Sequence, residues 1–255
     1  MAQVRIVIAA HKEYEMPVAQ PMYLPVQVGA ANTAKRIDGF IPDNSGTNIS
    51  AKNASYCELT ALYWAWRNLD ADYLGLAHYR RYLGEDAKGR FESILTKEDV
   101  TALMVGADVI LPKPRNYYVQ SVLTHYNHAH HPEPLQALRD ELQRSSRPQS
   151  QALDEILAGT TTHLYNMFIM RRELVDEYCT WLFGILKDLE KNIDTTGYTA
   201  YESRVYGFLS ELMLDAWVRS KHLRVVEASV IHLEPEQWPK KVAAFVGRIA
   251  RPHRI

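Results

Sequence analysis

The segment His78-Tyr79-Arg80-Arg81-Tyr82 concentrates more potential chemistry than any other stretch of the chain. Two adjacent guanidinium groups can grip phosphate bidentately and offset the charge of a departing diphosphate. Neighbours on an extended strand alternate faces, so either both arginines reach one site or one of them is a surface charge. His78 has three readings: metal ligand, donor to a phosphate, or hydrogen-bonded core histidine. Glu211 lies in the apolar run GFLSELMLDAW, and such a carboxylate can take the proton of an acceptor hydroxyl. Asp215, four residues on, shares its helical face, and Glu202, near Arg204, is a further candidate carboxylate. The loop DNSGTNIS, Asp43 to Ser50, sets small polar residues and a glycine ahead of a helix start, where backbone N–H groups can face an anion. His125, His128, His130 and His131 form a cluster whose members pair on helical faces, but no acid or cysteine completes a zinc spacing. A solvated helix end is the simpler reading of it.

The elements that must position these groups follow from periodicity. Val4–Ala9 is a continuous β-branched run, the signature of a strand buried on both faces. Its polar exit at His11 and Lys12 falls at the carboxyl end, where open α/β sheets bind ligands. Leu24–Val28, Tyr73–Ala77, Ala107–Leu111, Thr162–Met170 and Leu223–Ala228 read as further strands. Helices are expected over Ala54–Leu69, Thr96–Val105, Ser121–Gln143 with interruptions at Pro132 and Pro134, Arg171–Leu189 and Tyr206–Arg219. Thr96 with Asp99 forms a capping-box-like start. Ser145–Ser150 reads as a polar loop. The alternation implies an α/β fold with a mostly parallel central sheet flanked by helices.

The 255 residues suffice for one large domain with a proper core. Lys plus Arg, 29, nearly balances Asp plus Glu, 30, so charge gives no footprint for nucleic acid. Cys57 and Cys179 lie far apart in apolar helical runs and read as buried free thiols. The first residues lack the basic start of a signal peptide, and no apolar run is long enough to span a bilayer. Residues 240–255 form a basic tail, with Lys240, Lys241, Arg248, Arg251 and Arg254 alongside Val242, Phe245, Val246 and Ile249 at helical spacing. That pattern suits either a helix on an anionic membrane surface or an ordinary terminal helix. The expected organisation is one domain over residues 1–239 followed by this tail. GxSxG, P-loop, GxGxxG and HExxH signatures are all missing, which sets aside the enzyme classes built on them.

Five blocks occur in a recognisable order: AAHKEYEMP, LPVQVGA, DNSGTNISAKNASYCELTALYWAWRN, DYLGLAHYRRYL and ESRVYGFLSELMLDAW. Together they resemble the bacterial capsular and exopolysaccharide biosynthesis glycosyltransferases, from about Val4 to Leu233. The resemblance implies a GT-A-like, Rossmann-related transferase that takes its sugar from a nucleotide-sugar donor. Some relatives are assigned to galactofuranose transfer from UDP. The donor would then be UDP-linked, galactofuranose or galactose, and the acceptor a polysaccharide or lipid-linked glycan of capsule, exopolysaccharide or O-antigen synthesis. His11 and Lys12 would lie near the nucleotide, and Asn48, Ser50 and Asn53 would shape the donor pocket with Glu58 beside them. His78, Tyr79, Arg80 and Arg81 stand where GT-A enzymes keep an Asp-x-Asp metal site. Diphosphate neutralisation by Arg80 and Arg81, with no metal required, is therefore expected; a Mn or Mg ion held by other groups including His78 is the alternative. Asn166 and Met167 would face the acceptor, with Glu202 on the acceptor side, and Glu211 would be the catalytic base of an inverting displacement. Leu212 stands where the resemblance leads one to expect an arginine, which weakens a role for that arginine but not for Glu211. The expected location is cytoplasmic, with the tail at the inner membrane face.

Two other classes of function compete. A catalytically silent subunit that binds nucleotide sugar or glycan would also lack the Asp-x-Asp pair, but would release no nucleotide from a donor. A metal-dependent hydrolase would need the histidine cluster to hold metal.

Overall fold

A computed structural model describes residues 2–17, 20–87 and 90–233. The basic tail, and with it the boundary at residue 239, lies outside the described residues. In chain order the elements begin with strands β1 (Val4–Ala10), β2 (Tyr23–Gln27) and β3 (Ile41–Pro42). Helices α1 (Asn53–Tyr56) and α2 (Leu59–Asn68) follow, then β4 (Tyr73–His78), β5 (Arg81–Gly84), α3 (Lys97–Gly106), β6 (Val109–Pro112) and β7 (Arg115–Asn116). The second half contains α4 (Val122–Ala129), α5 (Pro132–Ser145), α6 (Arg147–Ala158), β8 (Thr161–Thr162), β9 (Phe168–Arg171), α7 (Arg172–Leu189), α8 (Val205–Ser220) and β10 (Val225–His232).

The sheet is mixed, which corrects the expectation of a mostly parallel one. The pairs β1–β2, β1–β4, β2–β3 and β6–β10 are parallel. The pairs β4–β5, β5–β10, β4–β9 and β6–β9 are antiparallel. The cause is local: β4 turns straight back into β5, and β9 enters beside β4 in the opposite sense. The pairings β4–β5, β5–β10, β10–β6, β6–β9 and β9–β4 form a closed ring, from which β1, β2 and β3 extend as an open wing.

Alternation along β1 shows why its whole run is apolar. Val7 and Ala9 enter the core formed with α2 and α4 to α8, while Ile6, Ile8 and Ala10 enter a second core on the other face with Val100 and Met104 of α3. A strand covered on both faces has no position for a polar residue until it ends. Gly75 marks the tightest part of this layer. A Cβ there would lie 2.8 Å from the Phe168 carbonyl oxygen and 2.9 Å from Ile169 Cγ1. Strand backbone cannot yield as a flexible side chain would, so Gly75→Ala is expected to cost about 1–3 kcal/mol. A thermal melt would read this as a fall of several degrees; an unchanged midpoint would show that β4 and β9 can separate freely.

Other sequence expectations fare unevenly. The capping box at α3 is present, with Asp99 N–H donating to Thr96 Oγ1 at 3.2 Å and Thr96 N–H to Asp99 Oδ2 at 2.8 Å. Of the expected polar loop Ser145–Ser150, Ser145 instead ends α5 and residues 147–150 open α6, with Pro148 in its first turn, where a missing N–H costs nothing. The expected strand Thr162–Met170 is divided. Only its ends pair, as β8 and β9, because Tyr165 and Asn166 between them take left-handed φ values of 76° and 53°. The expected helix Ala54–Leu69 is broken at Cys57, whose φ of 52° and ψ of −128° are far from helical. Among the described residues no helix is long and apolar enough to cross a membrane.

Candidate functional site

A cleft of about 550 Å³ opens where β1 and β4 end. Its lining brings together Ala9, His11 and Val28; Asn53, Ala54, Cys57 and Glu58; His78, Tyr79, Arg80 and Arg81; Tyr165; and Ala200, Tyr201, Arg204, Phe208 and Glu211.

The HYRRY segment is a hairpin rather than a continuing strand. His78 pairs with Arg81 across the turn Tyr79–Arg80. The turn resolves the question of alternating faces, since both arginines line the cleft. Tyr79 is buried and anchors the turn, with the His11 and Tyr14 rings packed edge-on at 5.2 and 5.0 Å. The Arg80 guanidinium lies over the Tyr79 ring at 5.0 Å, as does the Lys12 ammonium at 5.4 Å. Lys12 itself is exposed and does not line the cleft.

The break at Cys57 presents Glu58 to the cleft. Asn53 holds the break by donating from Nδ2 to the Cys57 carbonyl at 2.7 Å and to Thr60 Oγ1 at 3.2 Å. Gly207 faces it without a side chain; a Cβ there would sit 3.0 Å from Cys57 Sγ. Arg204 Nε donates to that sulfur at 3.1 Å. Burial, then the Glu58 charge, pushes the Cys57 thiol up to about 11, so it is not a nucleophile near neutral pH. Glu58 Oε1 accepts from Asn166 Nδ2 at 2.6 Å, and the same nitrogen reaches the Gly207 carbonyl at 3.0 Å.

Tyr165 ties the site together through its backbone. Its carbonyl accepts from His78 Nε2 at 2.6 Å, and its N–H donates to the Glu211 carboxylate. Its ring lies 4.4 Å beneath the Arg81 guanidinium. Because a carbonyl only accepts, the His78 proton sits on Nε2. Burial, the largest influence, holds the His78 pKa below its ordinary value, so the imidazole is neutral at pH 7. Glu211 reaches the cleft but is otherwise enclosed by protein. Burial first, then the Glu58 charge, pushes its pKa up to about 8, against the pull of the Tyr165 N–H, Arg81 and Arg204.

The remaining candidates lie elsewhere. Asn48 and Ser50 do not line the cleft. They brace a loop, where Ser50 Oγ bonds the buried Asp43, accepts from Ala31 N–H at 3.0 Å, and has its own N–H held by Asn48 Oδ1 at 3.2 Å. The expected anion loop instead turns its carboxylate inward, with Asp43 accepting from Gly29 and Ala30 N–H. Met167 is core, and Asn166 is buried with its Nδ2 on Glu58 Oε1. Glu202 closes a local turn on Thr199 and pairs with His131 at 3.3 Å, outside the cleft. Asp215 is also outside it, holding His163 Nδ1 at 3.0 Å and Arg219 Nε at 3.2 Å. Cys179 is buried as expected, whereas Cys57 is only half-buried and stands at the helix break.

The histidine cluster is spread over aromatic contacts. His125 stacks on Tyr117 at 3.9 Å, His130 packs on Phe208 at 4.1 Å and His131 stacks on Tyr198 at 4.1 Å. Among the described residues no three His, Cys, Asp or Glu side chains converge as a metal site requires. The histidine cluster therefore does not gather the ligands that the hydrolase reading needs, and the cleft carboxylates Glu58 and Glu211 do not by themselves make a metal cage.

Sequence reasoning missed Arg204, Phe208, Tyr201 and Tyr165. A signal for the first two was present. Arg204 stands at the start of α8, and Phe208 and Glu211 follow four and seven residues later, the spacing of one helical face. Tyr165 gave none, since its role depends on a backbone conformation.

A family model described as Domain of unknown function (DUF4422) matches residues 5–222. The chain belongs to the DUF4422 family. No curated protein matches the chain. Among solved structures, this DUF4422 chain is similar to the apo structure of the bifunctional glycosyltransferase WbbM, at 30% identity and a TM-score of 0.83. The alignment covers 91% of the DUF4422 chain and 46% of the WbbM chain, so the chain spans just under half of that protein's length.

Proposed function

We propose that the cleft binds a nucleotide sugar and transfers its sugar to a glycan hydroxyl. The observation that carries this reading is the meeting of Arg80, Arg81 and Arg204 with Glu211 in one cleft. The likeness to a bifunctional glycosyltransferase at 30% identity supports it. A GT-A-like ancestry of the mixed sheet, with the donor at the ends of β1 and β4, accords with the ligand-binding side of α/β sheets.

On this reading Arg80 and Arg81 hold the diphosphate and stabilise the negative charge that grows on it as the glycosidic bond breaks. No metal is required for that step. Glu211, ionised, accepts the proton of the acceptor hydroxyl as its oxygen bonds the anomeric carbon, and the nucleoside diphosphate leaves with the bonding electron pair. Neutral His78 and the Tyr165 peptide fix the positions of Glu211 and Arg81. The donor is UDP-linked, galactose or galactofuranose, and the acceptor a polysaccharide or lipid-linked glycan. The basic residues 240–255 suit an anionic bilayer surface, where lipid-linked acceptors reside. Cosedimentation with anionic vesicles checks that last point, and a protein left in the supernatant would count against it.

Thermal melting with UDP, with and without EDTA, tests the donor site. A ligand at about 100 Kd adds about 2.7 kcal/mol, a rise of roughly 5–10 °C for a chain of this size. The same rise is expected in EDTA. No shift with UDP or any other nucleotide would remove the donor assignment, and a shift abolished by EDTA would replace the arginines with a metal.

A further inference from the structure

Large apolar side chains that remain exposed are few among the described residues. Val105, Tyr118, Val119 and Val225 lie away from the cleft lining; Tyr201, 53% exposed, is part of it. Tyr201 stands in the turn before α8, three residues ahead of Arg204, so Tyr201, Arg204, Phe208 and Glu211 form one stripe. The stripe is ordered. The Tyr201 and Phe208 rings are 5.2 Å apart, and the His130 ring lies 4.1 Å behind Phe208. The Arg204 guanidinium lies 5.8 Å from the Tyr201 ring and 5.3 Å from that of Phe208. Phe208 is thus packed between the Tyr201 and His130 rings, while Tyr201 keeps an open surface.

The position of this wall indicates what it would take. The base that receives the acceptor's proton must touch the acceptor, so the acceptor occupies the Glu211 end of the cleft. The wall begins one helical turn from Glu211, about 4.5 Å along the axis, and continues away from it. A sugar joined to the reacting one would fall along the stripe. The face of a pyranose ring presents C–H groups that pack on aromatic rings, while its hydroxyls need polar partners at the edge. Tyr201 and Phe208 supply the surface and Arg204 the polar edge. We infer that Tyr201 and Phe208 form an acceptor subsite that takes the C–H face of a hexopyranose, with Tyr201 setting specificity for a sugar-bearing acceptor. This inference rests on the transferase reading above.

The test uses the full chain saturated with UDP and a set of methyl glycosides of galactose, glucose, mannose and rhamnose at millimolar concentration, read by saturation-transfer NMR. The expected result is transfer to the ring C–H protons of at least one glycoside, with affinity lowered about tenfold by Tyr201→Ala and retained by Tyr201→Trp. The UDP-induced melting shift should be the same in all three proteins. Weaker UDP binding in Tyr201→Ala with glycoside binding intact would make the ring a nucleobase platform and overturn the inference. Absence of glycoside binding to the wild-type protein, with UDP still bound, would overturn it and leave the transferase reading standing. Failure of UDP itself to bind would remove both.

Discussion

Glu211→Gln is expected to lower kcat by about 10²- to 10⁴-fold, the usual contribution of a positioned base. Donor affinity should change little, because glutamine keeps the oxygen that accepts from the Tyr165 N–H. Release of UDP from a UDP-hexose in the presence of glycan acceptor measures the first, and the UDP melting shift the second. The pH profile makes the prediction sharper. A carboxyl whose pKa is raised to about 8 is protonated over most of the range below it, so activity should climb with pH and level off above about 8. Stability runs the other way. The group has its ordinary value of 4.5 in the unfolded chain and about 8 in the folded one, so between those values the folded state holds a proton that the unfolded state has released. The stabilisation is complete below 4.5 and is lost as pH rises through about 8. Glutamine has no such dependence, so the variant should gain melting temperature relative to wild type across that window. A kcat within tenfold of wild type would take the base role from Glu211.

Arg81→Lys is expected to weaken UDP binding by about 10- to 100-fold, a loss of about 1.4–2.8 kcal/mol. The charge is kept, so a purely coulombic role would hardly notice the change. The difference lies in shape. The Arg81 guanidinium lies over the Tyr165 ring at 4.4 Å, and its buried Nε has no hydrogen-bond partner within the protein. An ammonium on a flexible stem neither stacks in that way nor offers a planar fork to two phosphate oxygens. Titration calorimetry with UDP checks the figure; an unchanged Kd would mean that Arg81 supports the tyrosine rather than the ligand.

Much of this is legible in the sequence alone. The continuous apolar runs at Val4 and Tyr73 gave both central strands, and their polar exits gave His11, His78 and the arginines. What the sequence concealed is conformational. Nothing in YCEL announces that Cys57 leaves the helix, because the break is held by the side chain of Asn53 and by the missing side chain of Gly207, 150 residues away. Nothing in LYNM announces two left-handed residues, whose geometry only tertiary contacts maintain. Pairing sense was equally hidden. Apolar strand runs look alike in parallel and antiparallel neighbours, so the alternation of strands and helices suggested a parallel sheet where β5 and β9 run the other way. Asn48, Ser50 and Glu202 each satisfy backbone groups instead, Asn48 and Glu202 within their own turns and Ser50 on Ala31, 19 residues away.

The strand ring has a consequence for how these molecules behave in company. Among the described residues the closed ring offers no free row of N–H and C=O groups, so there the main sheet can recruit a foreign strand only at the end of its wing. The strand there, β3, has two residues, and one of them is Pro42; its neighbour β2 carries Pro25. Proline has no N–H to offer a newcomer. Among the described residues the main sheet thus keeps its β-branched strands paired and leaves little free strand edge on which a second copy could nucleate a fibril.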